Sequence, residues 1–119
     1  MKKILFIEDE NNLNEAYRTK FASGYEVNFA TDAKTGIQKA TEWKPDLIIL
    51  DIVMAGDING IDALKELKSK PNTSSIPVIV LTNLEDQEET VMEMGATECL
   101  LKANTGFEIV AQKISNILN

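Results

Sequence analysis

Short apolar runs alternate with longer amphipathic stretches along this chain, and the alternation repeats five times. Lys3-Ile4-Leu5-Phe6-Ile7, Leu47-Ile48-Ile49-Leu50 and Val78-Ile79-Val80-Leu81 are nearly continuous in apolar residues. Such runs predict strands whose two faces are both covered by helices. The first strand is expected over about residues 2–8, the third over Asp46–Asp51 after Pro45, and the fourth after Pro77. Weaker runs at Glu26–Ala30 and residues 97–101 predict the second and fifth.

The stretches between have helical spacing. Leu13, Ala16, Tyr17 and Phe21 share one face of a first helix, which Gly24 ends. Asp32 is placed to cap a second helix showing Ala33, Ile37 and Ala40. Gly36 inside it costs helix propensity, which points to close packing there. A third helix begins near Gly60, shows Ile61, Leu64 and Leu67, and stops before Pro71. A short acidic helix, Glu85 to Met94, ends at Gly95. The fifth carries Phe107, Val110, Ala111, Ile114, Ile117 and Leu118 as an apolar stripe. Alternating strands and helices predict an α/β fold: a parallel sheet with right-handed crossovers. No linker, repeat or low-complexity segment interrupts the pattern, so residues 1–119 are expected to form one domain.

Composition narrows the function classes. The 119 residues include 12 basic and 19 acidic ones, for a net charge of −7. That balance argues against direct contact with nucleic acid or an anionic membrane. Cys99 is the only cysteine, so no internal disulfide forms, and its apolar strand predicts a buried small hydrophobe. The absence of histidine removes serine–histidine and cysteine–histidine catalysis and the commonest zinc ligand. Met1-Lys2-Lys3 runs into a strand without a signal-peptide core, and no apolar run approaches the roughly 20 residues that span a bilayer. A cytoplasmic location is expected.

The chemistry sits at expected strand ends. Glu8 and Asp9 follow the first strand, Asp51 ends the third, Thr82 follows the fourth and Lys102 the fifth. The carboxyl ends of neighbouring parallel strands form one crevice where ligands bind. Three carboxylates, a hydroxyl and an ammonium therefore converge. The carboxylates suit Mg²⁺, and Thr82 and Lys102 suit phosphate oxygens. Plainer readings exist for each group. Glu8 to Glu10 would cap the first helix, Thr82 with Glu85 would form a capping box, and Lys102 would be a solvated surface lysine.

Taken in order, the acidic pair Glu8-Asp9, the lone Asp51, Met54 and Gly60, Thr82, and Lys102 after Gly95-Ala96 resemble the receiver domain of bacterial two-component response regulators, over the full length. The resemblance implies a flavodoxin-like (βα)5 doubly wound sheet with strand order 2-1-3-4-5. It implies that Asp51 is the phosphoacceptor, phosphorylated by a histidine kinase or phosphotransfer protein. Asp9, Asp51 and the backbone carbonyl of Val53 would bind Mg²⁺, with Glu8 acting through a water. Lys102 and Thr82 would hold phosphoryl oxygens. Such a module switches partner binding and is not a dedicated turnover enzyme.

The sequence departs from the family pattern in places. Glu8 replaces the usual aspartate and lengthens one arm. Ala55 and Ala103 replace prolines, and Cys99 stands where a switch aromatic is common. The apolar Val53 and Leu84 imply slow loss of the phosphate. The acids of the fourth helix imply a monomer or weak dimer and a downstream effector with a basic patch. Alternatives are a pseudo-receiver that acts without phosphate, or a receiver cut from a longer regulator. A haloacid-dehalogenase-type phosphatase would need a second aspartate where Val53 stands. A flavodoxin-like electron carrier would need phosphate donors where Glu8-Asp9-Glu10 would repel.

Overall fold

The computed structural model describes residues 1–52, 59–83, 87–102 and 105–119. Ten elements alternate: β1 (Lys3–Ile7), α1 (Asn11–Phe21), β2 (Glu26–Ala30), α2 (Ala33–Trp43), β3 (Leu47–Asp51), α3 (Gly60–Ser69), β4 (Val78–Thr82), α4 (Glu88–Glu93), β5 (Glu98–Leu101) and α5 (Phe107–Leu118). All four strand pairs are parallel, and the order is β2-β1-β3-β4-β5, as expected. The chain starts on the strand next to one edge of the sheet, steps outward for β2, and then to the other side for β3. That reversal opens a crevice beyond the ends of β1 and β3.

The near-continuous apolar strands fill two cores by alternation. Leu5, Ile7, Ile48, Leu50, Val78 and Val80 face Ile37 and Ala40 of α2, Leu64 and Leu67 of α3, and Val91 of α4. Ile4, Phe6, Leu47, Ile49, Ile79 and Leu81 face Tyr17 and Phe21 of α1 and Val110 and Ile114 of α5. Phe6 anchors the second core, stacking on Tyr17 at 4.6 Å and on Phe29 at 5.3 Å. Burying such side chains contributes about 1.5–3 kcal/mol each.

Local signals behave as their chemistry dictates. The Asp32 carboxylate accepts from the Thr35 amide at 2.7 Å and caps α2. A Cβ on Gly36 would lie 2.6 Å from Cδ1 of Ile7, so the glycine does permit close packing on β1. Gly95 has φ of +104°, and the Ala96 amide donates back to the Val91 carbonyl at 3.0 Å, closing α4 with a glycine C-cap. Two expectations are corrected. α4 among the described residues begins at Glu88 with Gln87 at its N-cap, so Thr82 is not its cap. Cys99 is half-buried, packed against the α2/α3 core.

Gly60 controls the strand end that matters most. A Cβ there would collide with the Ile52 Cα and would lie 2.6 Å from the Asp51 carbonyl oxygen. These are backbone atoms and cannot rotate away. Gly60→Ala is therefore expected to destabilise by about 3 kcal/mol or more, read as a drop in denaturant midpoint. Gly24, with nothing within 4 Å of its Cβ position, is the control. There the same change should stay within about 0.5 kcal/mol. Equal effects at the two sites would contradict the described packing.

Candidate functional site

Sheet register brings the polar groups to one end. Ile7 pairs with Leu50, so Glu8 follows β1 at the level of Asp51. Asp51 pairs with Leu81, and Thr82 with Leu101, the residue before Lys102. Glu8 and Asp51 are buried, with 3% and 5% exposure, and Thr82 is fully buried. Asp9 is exposed. Val53, Leu84, Glu85, Asp86 and Ala103 lie outside the described residues, so the expected carbonyl ligand from Val53 does too.

Lys102 joins the two buried acids. Its Nζ donates to Glu8 Oε1 at 2.6 Å and to Asp51 Oδ2 at 3.0 Å. Its side chain is only 19% exposed, which rules out the reading of a solvated surface lysine. The other Glu8 oxygen accepts from the Glu10 amide at 3.1 Å. That amide belongs to the N-cap residue itself, and α1 has no side-chain cap bond, so Glu8 does not cap the helix; its carboxylate grips the lysine instead.

The backbone of Glu8 is fixed at both ends. Its amide donates to the Ala30 carbonyl at 2.9 Å, and its carbonyl accepts from Asn14 Nδ2 at 2.8 Å. Sequence reasoning missed Asn14. The available signal was an amide side chain at helical spacing from Tyr17 and Phe21, on the face that packs inward. Tyr17 was read as core only. Burial holds its phenol well above the usual tyrosine range, and the charges of Glu8 and Asp51 add to this, so it sits within their field. With Glu10, Asn83, Lys102, Thr105 and Phe107 it lines a cavity of about 160 Å³ beside the acids.

Carboxylate oxygens of Glu8, Asp9 and Asp51 lie within 4.8 Å of one another. Three carboxylates against one ammonium leave the cluster negative. Hard oxygen donors at this separation fit a divalent cation such as Mg²⁺.

The unequal charge shows in the titration of Glu8. Burial raises its pKa, the Lys102 bond draws it down, and the charge of Asp51 raises it again, to about 7 from 4.5. For Lys102, burial lowers the pKa, but the bonds to Glu8 and Asp51 outweigh it and hold the ammonium above the usual lysine value. A stability trend follows for the metal-free protein. Between pH 4.5 and about 7 the unfolded chain has released the Glu8 proton and the folded protein still holds it. The Glu8 contribution is therefore full below pH 4.5 and declines as pH rises toward 7, by up to about 1.4 kcal/mol per pH unit. Glu8→Gln removes that slope. The stability difference between wild type and Glu8→Gln, from denaturant titrations across this window, should change with pH. A flat difference would contradict the assignment.

The model of the response regulator receiver domain matches residues 4–113. Response regulator PleD of Caulobacter vibrioides is 34% identical over 103 residues, covering 84% of this chain and 22% of PleD. The alkaline phosphatase synthesis transcriptional regulatory protein PhoP of Bacillus subtilis is 32% identical over 114 residues, covering 93% of this chain and 46% of PhoP. The chain thus spans less than half the length of either relative. Among solved structures, response regulator protein TrrA of Thermotoga maritima, in complex with Mg²⁺-BeF, superposes with a TM-score of 0.87 at 28% identity. That match covers 99% of this chain and 100% of TrrA. Among the described residues, no helix is long and apolar enough to cross a membrane.

Proposed function

Since the chain belongs to the response regulator receiver family, we propose that Asp51 is its phosphoacceptor in a two-component pathway. A carboxylate oxygen of Asp51 attacks the phosphorus of a phosphohistidine on a sensor histidine kinase or phosphotransfer protein. An O–P bond forms, the N–P bond breaks, and its electron pair returns to the imidazole. Phosphoryl transfer needs an in-line nucleophile and neutralised equatorial oxygens, and little else from the protein. The Lys102 ammonium and the Thr82 hydroxyl would supply donors to those oxygens. Asp9 and Asp51 would hold Mg²⁺ directly with the Val53 carbonyl, and Glu8 through a water. When bound, Mg²⁺ supplies positive charge that lets an anionic group approach three carboxylates. The module accepts and later loses one phosphoryl group and is not a turnover enzyme. Residues 1–119 would act as one receiver domain, in the cytoplasm where such kinases deliver phosphate.

The observation that carries this reading is the Lys102 ammonium set between Glu8 and Asp51 at the sheet's switch point. Incubation with acetyl phosphate and Mg²⁺, followed by intact mass, tests it. One added phosphate is expected. An unchanged mass for folded protein would point to the phosphate-independent interaction module instead.

The output side is acidic. α4 carries Glu88, Glu89 and Glu93 and no basic residue. Two such faces would repel, since like charges across an interface cost affinity. The partner would be an effector with a basic patch, not nucleic acid or membrane. Phosphorylated protein is expected to sediment as a monomer or weak dimer at low salt, where screening is least. A tight dimer through α4 at low salt would refute this.

A further inference from the structure

The bond between Glu8 and Lys102 opposes the reaction that the site is read to perform. Phosphoryl oxygens need the ammonium, yet a carboxylate of the protein already holds it at 2.6 Å. This contact is shorter than the one to Asp51, at 3.0 Å. It also belongs to a side chain that does not accept the phosphoryl group. Charge-assisted bonds of this length are among the stronger ones in proteins.

We propose that Glu8 is a positioning residue that occupies the phosphate site from within: its carboxylate detains Lys102 in the unphosphorylated protein and must let go before Lys102 can serve a phosphoryl group. The inference rests on the phosphoacceptor reading and adds a restraint to it.

The restraint depends on the length of the glutamate arm. The Glu8 backbone cannot shift, because Ala30 holds its amide and Asn14 its carbonyl. An aspartate there would withdraw the carboxylate by roughly 1.5 Å, one carbon–carbon bond. The Lys102 contact would then exceed hydrogen-bond range. The other Glu8 bond would survive, because an aspartate accepts readily from the amide two residues on, here that of Glu10. The carboxylate count facing the cation would also stay the same. Glu8→Asp therefore cuts one contact and spares the rest.

The test uses fluoroberyllate, an analogue of the phosphoryl group, with binding read by calorimetry at saturating Mg²⁺. Wild type should bind it. Glu8→Asp should bind it roughly tenfold more tightly, with Mg²⁺ affinity measured separately for each variant so that the cation is saturating in both. A residue of merely structural value would not yield tighter binding when altered. Equal or weaker fluoroberyllate binding by folded Glu8→Asp would overturn the proposal while leaving the phosphoacceptor reading intact. Glu8→Gln keeps the length and loses the charge. It should tighten binding by a smaller factor at saturating Mg²⁺, and it decides the matter in the same way if the aspartate variant does not fold. Wild type that binds no fluoroberyllate would overturn both readings.

Discussion

Asp51→Asn is expected to abolish phosphate uptake and, at the same time, to make the metal-free protein more stable. The first effect follows from chemistry. An amide oxygen is not a competent nucleophile toward phosphorus, and among the described residues no other strand ends on a carboxylate bonded to Lys102. The second follows from charge. Glu8 and Asp51 share one ammonium, and the surplus repulsion is part of what raises the Glu8 pKa to about 7. Removing the Asp51 charge leaves Lys102 and Glu8 as a balanced pair. The asparagine carbonyl can still accept from Lys102. At an effective dielectric of about 20 the relief amounts to about 1–3 kcal/mol. Opposite signs for activity and stability distinguish a group kept for function from one kept for packing. Intact mass after acetyl phosphate treatment reads the first effect, and metal-free denaturant titration the second. Full labelling of Asp51→Asn would refute the acceptor assignment. A loss of stability would refute the view of Asp51 as a strained member of an over-charged cluster.

How much of this was legible depends on the range of the interaction that fixes each feature. β1, β3 and β4 announce themselves because both faces are covered, so every position from Ile4 to Ile7 or Leu47 to Leu50 is apolar. Asp51 and Lys102 are then located by where those runs stop. α4 was harder. Val91 is its one buried residue among those described, so it has no apolar stripe, and its N-cap Gln87 makes no side-chain cap bond. Thr82 with Glu85 reads as a capping box because that signal is local, whereas the N-cap of the described helix is Gln87, and Glu85 lies outside the described residues. The bond of Lys102 to Glu8 spans 94 residues. Residue types foretell that an ammonium and carboxylates meet. Which oxygen it grips depends on the extra methylene of Glu8 and on a backbone pinned by Asn14 and Ala30. No pattern along the chain encodes that geometry.

Lys102→Met should destabilise the metal-free protein by about 3–5 kcal/mol, because it leaves two buried carboxylates with no cation between them. Methionine has a similar length and retains the packing of the stem, so the loss reports on charge. Two conditions should reverse it. Acid is one: as Glu8 becomes protonated, its repulsion with Asp51 vanishes and the variant approaches wild type. Mg²⁺ is the other. In the wild type an incoming cation competes with the ammonium for the same carboxylates, whereas in the variant that competition is gone. The variant is therefore expected to bind Mg²⁺ more tightly than wild type and to recover much of its stability in excess Mg²⁺ by simple linkage. Phosphate uptake should nevertheless stay slow at saturating Mg²⁺, because the phosphoryl oxygens lack the ammonium. Denaturant titration with and without Mg²⁺, beside acetyl phosphate labelling, separates the two roles. A variant as stable as wild type without metal would contradict the buried pairing. One that labels at the wild-type rate would show that Lys102 organises the resting site and takes no part in the transfer.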